Sequence, residues 1–266
     1  MIRPLIHRGL QRSGRVPAAR VLVYLAQALR YRVRHGDRLR WSRLRADYGA
    51  WRDDQLRSSQ PLTDGRAWVT YGAIEFLDSW LQTVMRAFEY GAGGSTIFIA
   101  SRVGQLVSVE HDGAWVRQVQ EAAASLGLAN TTVLHVEPPI RPSAAAANDP
   151  DAYVSTDAEC RDRSFRTYAG AIDRYPEGGF DFILIDGRSR PSCFKHALPK
   201  LAPGGIIMLD NAERAHYAYI RHTLDGLGWR RLDFAGAGPY NQYFWRTSAW
   251  IRPGDAARNP GPAGSR

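Results

Sequence analysis

The chain has 266 residues, of which 44% are hydrophobic and 23% are charged, so its composition is that of a globular protein with one large core. Its two cysteines, Cys160 and Cys193, exclude a disulfide scaffold and a cysteine-based zinc site, and a reducing, cytoplasmic compartment is expected. The formal charge of +9 comes from the first 60 residues, which hold 14 arginines and four acidic residues, and no run approaches the ~18 apolar residues that span a bilayer.

Residues 1–60 are predicted to form a basic helical extension. Apolar residues recur at helical spacing over 17–34, which predicts an amphipathic helix that Gly36 ends. Its apolar positions are Val21, Leu22, Leu25, Leu29 and Val33. Aromatic and leucine side chains follow at 38–58, and packing on the main domain is preferred for them over a membrane surface. The charge of the extension suits phosphate, lipid headgroups or an acidic partner, so peripheral membrane contact stays open.

A main domain is predicted over residues 67–250, after a break at 61–65. Strands are expected to end at Glu89 and to cover 105–109, 131–136, 180–185, 206–209, 229–234 and 242–248, and helices to cover 114–126, 164–175, 191–201 and 215–227. This alternation favours an α/β fold with a mostly parallel sheet covered by helices on both faces. The polar connection 137–161 is expected to be a binding loop or disordered, and the tail 251–266 to be disordered.

Residues 86–112 organise the rest of the chain, because they read as strand, glycine turn, short helix and second strand. The turn reads Glu89-Tyr90-Gly91-Ala92-Gly93-Gly94-Ser95-Thr96. Its serine and threonine are predicted to cap the short helix. Glu110 ends the second strand about 20 residues past the glycines, where α/β nucleotide sites place a carboxylate on ribose hydroxyls.

This pattern resembles the class I S-adenosylmethionine (SAM)-dependent methyltransferases, whose first motif is an acid followed by Gly-x-Gly and whose second is an acid ending strand two. The resemblance covers residues 68–250 and implies a Rossmann-like class I methyltransferase fold with a seven-stranded sheet. It further implies SAM as cofactor and methyl transfer to an oxygen of the acceptor. The cofactor-binding residues that it implies are Glu89, Gly91, Gly93, Ser95, Thr96, Glu110, His111, Asp112 and Asp186. Asp112 is equally suited to capping the next helix.

A NAD-type Rossmann dehydrogenase is the alternative within the same fold class. Its fingerprint requires a third glycine where this chain has Thr96, and Glu89 would repel a pyrophosphate. SAM carries a sulfonium and an amino group and no phosphate, so an acid at this position favours SAM. A non-catalytic binding protein with a basic arm is the alternative of another class. Nucleic acid is disfavoured as a substrate because residues 61–266 carry a balance of −1.

Acidic residues also end the predicted fourth and fifth strands. The predicted catalytic residues are Asp186, Arg188 and Asp210. The predicted substrate-binding residues are Arg188, Arg190 and Asn211, since guanidinium groups bind carboxylates and phosphates bidentately. The general base stays open between Asp186, Asp210 and His196, with His216 as a weaker candidate.

The same stretch is similar to the cation-dependent catechol and caffeoyl-CoA type O-methyltransferases. That similarity implies Asp186, Asp210 and Asn211 as ligands if a divalent cation is bound. Gly187-Arg188-Ser189-Arg190 departs from their pattern, because a guanidinium competes with a metal ion for carboxylates. A bound metal is therefore not favoured, and the acceptor is expected to be a small molecule, a glycan or a lipid-linked hydroxyl. A homo-oligomer stays open.

Aromatic residues supply further candidates, for each of which core packing is an alternative explanation. Those expected near the cofactor are Trp68, Tyr71 and Trp80, and those expected near the substrate are Tyr153, Tyr240, Tyr243 and Trp245.

Overall fold

The computed structural model describes residues 17–37, 39–57 and 60–254, so most of the predicted tail lies outside the described residues. Within these ranges, nine helices surround one sheet of seven strands. The helices are α1 (Pro17–His35), α2 (Trp41–Asp54), α3 (Pro61–Asp64), α4 (Tyr71–Trp80), α5 (Gly94–Ala100), α6 (Gly113–Ser125), α7 (Arg166–Ala169), α8 (Arg190–Ala197) and α9 (Ala218–Gly226). The strands are β1 (Arg86–Tyr90), β2 (Gln105–Glu110), β3 (Thr131–His135), β4 (Phe180–Ile185), β5 (Leu201–Leu209), β6 (Arg230–Gly236) and β7 (Trp245–Ile251).

The sheet has the order β3-β2-β1-β4-β5-β7-β6. The first five strands are parallel, whereas β7 runs antiparallel to both β5 and β6. The mostly parallel, seven-stranded α/β sheet is therefore confirmed. Dinucleotide-binding Rossmann domains have the order 3-2-1-4-5-6, without an antiparallel strand inserted before the last one.

The register of the parallel strands brings their carboxyl ends to one edge of the sheet. Tyr90 at the end of β1 pairs with Val109 of β2 and with Ile185 of β4, and Ile185 pairs with Leu209 of β5. The polar residues that follow these strands therefore lie at the same edge, as the sequence predicts.

The central strands are buried on both faces, which explains their nearly continuous apolar sequences. Phe88 and Ile183 face one layer of helices, whereas Ala87, Phe182 and Leu184 face the other. Successive side chains of a strand point to opposite faces of the sheet, so alternate residues contribute to the two cores. These cores hold the strand ends, and thus the edge that carries the polar residues, in a defined position.

Helices α1 and α2 pack on the sheet domain through an aromatic cluster. The ring of Tyr24 lies 5.0 Å from that of Trp51 and 4.9 Å from that of Phe244, which precedes β7. Arg246 of β7 forms an ion pair of 2.9 Å with Asp37. Packing of the second helix on the main domain is therefore confirmed, and a boundary between extension and domain stays a prediction.

The buried face of α1 differs from the predicted one. Its buried side chains are Tyr24, Ala28 and Tyr31, whereas the five predicted apolar positions are exposed. Both sets recur at helical spacing, and the tyrosines are buried because their rings find aromatic and polar partners on α2 and near β7. Along the described part of the chain, no helix is both long and apolar enough to cross a bilayer.

Three predicted element bounds are wrong. Strand β5 begins at Leu201 rather than at 206, and Gly204 and Gly205 within it exchange backbone hydrogen bonds with Arg252. Strand β7 begins at Trp245 rather than at 242. The region 164–175 forms the short α7 and a 3-10 turn rather than one helix.

Candidate functional site

A cavity of about 400 Å³, here called the first cavity, lies at the carboxyl ends of β1, β2 and β4. The predicted site residues that line it are Gly91, Gly93, Ser95, Glu110, His111, Asp112, Asp186 and Arg188. Trp68 lines it as well, as predicted for an aromatic residue near the cofactor. The structure therefore brings most of the predicted cofactor residues together in one place.

The turns that follow β1 and β4 approach each other backbone to backbone. Gly91 has a φ of +94°, and a Cβ on it would lie 2.8 Å from the Cα of Gly187. A Cβ on Gly187 would lie 2.1 Å from the hydroxyl of the buried Tyr168. Neither position accepts a side chain, and this close packing shapes the floor of the first cavity.

Glu89 and Thr96 lie beneath the glycine turn rather than on the cavity wall. Glu89 is fully buried, and its Oε2 accepts hydrogen bonds of 2.6 Å from the hydroxyls of Thr96 and Ser108. The Thr96 hydroxyl accepts in turn from the backbone N–H of Gly93, which is the N-cap of α5 in place of the predicted serine or threonine. These residues hold the turn on β1 and β2, and direct contact of either with a cofactor stays a prediction.

Burial raises the pKa of Glu89 to about 7, although the neighbouring hydroxyls lower it. Among the residues that the structure describes, no donor forms a hydrogen bond with its Oε1. The carboxyl group is therefore a buried acid that titrates near neutral pH.

Glu110 presents one carboxylate oxygen to the first cavity. Its Oε1 accepts from the backbone N–H groups of His111 at 2.7 Å and Asp112 at 3.0 Å, and it also contacts the His111 ring. Its hydrogen bonds within the described ranges all fall on this oxygen, so Oε2 is available to ligand hydroxyls. Asp112 caps α6 by accepting from the N–H groups of Ala114 and Trp115, which lower its pKa. The capping alternative for Asp112 is thus confirmed, and its side chain also lines the cavity.

Two lining residues were missed at the sequence level. The indole N–H of Trp115 donates to the carbonyl oxygen of Ala92 at 2.7 Å, which places the ring beside the glycine turn. Its position in the first turn of α6, directly after the second motif, was a usable signal. Pro61 also lines the cavity, although it lies before the predicted domain start at residue 67.

Two aromatic residues that were expected near the cofactor lie elsewhere. Tyr71 donates a hydrogen bond of 2.5 Å to Asp54 inside the aromatic cluster. The ring of Trp80 packs 6.0 Å from that of Phe182 in the core on the α4 side of the sheet. For both residues, the core-packing alternative is correct.

Arg190 ties the ends of β4 and β5 together. Its guanidinium donates to the carbonyl oxygens of Asp186, Gly187 and Asp210 and to the carboxylate of Asp186 at 2.8 Å. Each of its three nitrogens is therefore engaged by the protein. Contact of Arg190 with a substrate stays a prediction, whereas its role in positioning Asp186 follows from these contacts.

Asp210 is buried behind the site. Its Oδ1 accepts from the indole N–H of Trp245 at 2.8 Å and from the hydroxyl of Thr247 at 2.6 Å. Burial raises the pKa of both Asp210 and Asp186, and the charge of Arg190 opposes that rise. Asp186 lines the first cavity and Asp210 does not, so Asp186 is the better placed of the two to meet a ligand.

Arg190 competes with a divalent cation for the carboxylate at the end of β4. The described residues contain no group of three His, Cys, Asp or Glu side chains arranged to hold a metal ion. Arg190 already donates to Oδ1 of Asp186, so its positive charge lies where a cation would need that oxygen. Asn211 follows with a φ of +50°, and its side chain is buried.

A second cavity of about 230 Å³ shares Gly187 and Arg188 with the first one. Its remaining wall comes from the 137–161 connection, from Ser189–Pro191 and from Arg214, His216 and Tyr217. Arg188 pairs with Asp157 at 3.1 Å, and its Nε is buried with no partner in the described structure. Three guanidinium groups make this cavity basic, and Arg214 was missed because no motif surrounds it.

The two candidate histidines differ in placement. His196 has Nδ1 within 2.9 Å of Asp173 and Nε2 3.1 Å from the hydroxyl of Tyr153, and it lines neither cavity. His216 lines the second cavity, and its Nε2 has no partner among the residues described. Burial and the charge of Arg214 lower the pKa of His216, so its imidazole is neutral at neutral pH.

The aromatic residues that were expected near the substrate are spread out. Tyr240 donates to Asp64 and packs against the cavity residue Trp68, with 5.7 Å between ring centres. Tyr243 lines a third cavity, of about 850 Å³, beside α1. Tyr153 and Trp245 are buried.

Comparison with known proteins gives matches at the level of structure. No family model and no curated protein matches the chain. The O-methyltransferase TomG from Streptomyces achromogenes, involved in tomaymycin synthesis and solved with SAM, is 18% identical, with a TM-score of 0.51 over 74% of this chain and 92% of that one. An O-methyltransferase from Bacillus cereus, solved with S-adenosylhomocysteine, is 17% identical, with a TM-score of 0.50 over 88% of this chain and 99% of that one. Together with the strand order, these similarities show that the chain has the fold of the class I SAM-dependent methyltransferases.

Proposed function

We propose that the chain is a SAM-dependent methyltransferase that transfers a methyl group to an oxygen of a small-molecule acceptor. The observation that carries this proposal is the first cavity, where the glycine turn, Glu110 and Asp186 meet at the carboxyl ends of three parallel strands. Ligands of open α/β sheets bind at this edge.

The charges of the first cavity suit SAM better than a dinucleotide. Glu110, Asp112 and Asp186 line it together with a single cationic side chain, Arg188. Three carboxylates favour the amino and sulfonium groups of SAM and would repel a pyrophosphate. Glu110 Oε2 is suited to ribose hydroxyls, and the glycine turn allows close approach. The dehydrogenase alternative is not favoured, and neither is a binding protein without catalysis.

Bound in this cavity, SAM supplies a methyl group that is already activated on a sulfonium. The chain then has to orient an acceptor hydroxyl and to take its proton. Asp186 from the first cavity and His216 from the second are the proposed candidates for the proton acceptor. His216 is favoured by its free Nε2 and its lowered pKa, whereas both ring nitrogens of His196 are engaged.

The second cavity is the proposed acceptor site. Arg188 lines both cavities, and Arg190 and Arg214 add positive charge. A carboxylate or phosphate on the acceptor matches this positive charge. Glycans and lipid-linked acceptors can carry such an acidic group. Asp210 and Asn211 are proposed to support this site from beneath. A reducing, cytoplasmic compartment is part of the proposal, because both cysteines are buried as free thiols.

Calorimetric titration with S-adenosylhomocysteine, with NADH as the control ligand, tests the cofactor. Glu110→Gln should weaken S-adenosylhomocysteine binding about ten-fold, or about 1.4 kcal/mol, while retaining an acceptor for the two backbone N–H groups. The exposed Glu121→Gln on α6 is the matched control and should bind as the wild type does. A folded protein that binds no S-adenosylhomocysteine would rule the proposal out.

Methyl transfer from labelled SAM to hydroxyl compounds, with and without a carboxylate or phosphate, tests the acceptor class. Arg188→Gln should raise KM for acidic acceptors and leave S-adenosylhomocysteine affinity nearly unchanged. Arg117→Gln, on the exposed face of α6, removes the same charge away from both cavities. Equal turnover of neutral and acidic acceptors would contradict the assignment of the second cavity.

A further inference from the structure

Helix α1 carries an apolar stripe that faces solvent. Leu22, Leu25, Leu29 and Val33 follow one another at spacings of three and four residues, so they share one face of the helix. All four are exposed, because the opposite face, with Tyr24 and Tyr31, packs on the protein. The stripe extends over about 16 Å at 1.5 Å per residue. No other described element covers these side chains.

Arginines surround this stripe. Arg30 and Arg32 are exposed on its two sides, and Arg34 follows one turn after Arg30. The sequence contains eight arginines and no acidic residue before Asp37. An apolar stripe flanked by exposed arginines matches a surface that is apolar inside and negatively charged outside.

We propose that α1 docks this protein on the surface of a bilayer that contains anionic lipids, with the stripe among the acyl chains and the arginines at the headgroups. A second copy of the chain fits the stripe less well, because two copies would bring their arginines together without an acid on either helix. The docking itself does not rest on the methyltransferase proposal, whereas its relation to the acceptor site does.

The position of the third cavity agrees with this docking. Arg30 and Arg34 line that cavity from α1, and Arg214 and His216 line both it and the second cavity. A docked helix therefore places a series of basic side chains between the lipid headgroups and the proposed acceptor site.

Co-sedimentation of the full chain with vesicles tests the docking. We expect binding to vesicles of phosphatidylcholine mixed with phosphatidylserine and little binding to phosphatidylcholine alone, with a loss as ionic strength rises. Leu29→Ser with Val33→Ser should weaken partitioning about ten-fold or more, because both side chains leave water on docking. Arg30→Gln with Arg32→Gln should weaken it by about five-fold per arginine.

Matched controls separate the stripe from general surface effects. Leu126 and Val84 are as exposed as the two stripe residues, at 61% and 82% against 62% for Leu29 and 79% for Val33. Leu126→Ser with Val84→Ser should leave vesicle binding unchanged.

Three results would overturn the docking proposal. The first is absence of binding to the anionic vesicles by a folded protein. The second is an equal loss of vesicle binding in the control variant. The third is a dimer in analytical ultracentrifugation that the two stripe substitutions convert to a monomer without changing vesicle binding, because the stripe would then be an interface between copies. Calorimetry with S-adenosylhomocysteine on the same samples reports on the methyltransferase proposal separately.

Discussion

Replacement of Glu89 with glutamine should stabilise the protein at alkaline pH. The carboxyl group is fully buried, and its pKa of about 7 lies above the ordinary value of 4.5. A raised pKa in the folded state means that the folded protein holds the proton more tightly than the unfolded chain does. The resulting stability is fully present below pH 4.5 and is lost as the pH rises through 7. The difference between the two pKa values corresponds to about 3 kcal/mol.

A glutamine carries no charge and can accept the hydrogen bonds that Thr96 and Ser108 donate. Urea unfolding of wild type and Glu89→Gln between pH 5 and pH 8 measures the effect. The stability of the variant relative to wild type should rise by about 2 to 3 kcal/mol from the acidic to the alkaline end. Other buried acids titrate in both proteins and largely cancel in this difference.

The exposed Glu121→Gln serves as the control and should differ from wild type by the same amount at every pH. If the difference between Glu89→Gln and wild type were also constant with pH, the reasoning that Glu89 is a buried, neutral-range acid would be refuted. A variant that is less stable than wild type at pH 8 would refute it as well.

Three further predictions concern packing and are checked by urea unfolding. Gly187→Ala should cost about 1 to 3 kcal/mol and weaken S-adenosylhomocysteine binding, because its Cβ meets a tyrosine hydroxyl at 2.1 Å. Gly226→Ala, which has open space around it, should not destabilise the protein, and equal effects of the two substitutions would contradict the close approach of the two turns. Arg190→Met should cost about 3 to 5 kcal/mol at pH 8, since it leaves the half-buried carboxylate of Asp186 and the buried Asp210 without the nearby positive charge. A neutral result would place the guanidinium elsewhere. Trp51→Ala should cost about 3 to 5 kcal/mol because Trp51 is only 2% exposed, whereas Trp41→Ala, at 71% exposure, should cost little. A small effect of both substitutions would mean that α2 does not pack on the domain.

Most of the strands, and the acidic residues that end them beside the first cavity, could be anticipated from local patterns. Apolar runs that end in Glu110 or Asp186 identify strands whose carboxyl ends carry an acid, and the register of the sheet then brings those ends together. The glycine turn is readable because only glycine tolerates the backbone at Gly91. Such features depend on residues close in sequence, which is why they were predicted.

Contacts between distant segments were not predictable in the same way. Arg190 was expected to meet a substrate, yet its nitrogens bind the ends of β4 and β5. Arg214 and His216 become part of a basic cavity because the 137–161 connection folds against them and against the turn after β4. Nothing in the local sequence around these residues indicates those neighbours.

Helix α1 illustrates the difference between what the local sequence determines and what the tertiary structure decides. Its sequence by itself determined that residues 17–35 are helical, since helical periodicity and Gly36 are local properties. The sequence offered two faces with helical spacing, one with leucines and valines and one with tyrosines. Only the tertiary structure decided which face is buried, because that choice depends on partners such as Trp51 and Phe244, which other parts of the chain supply.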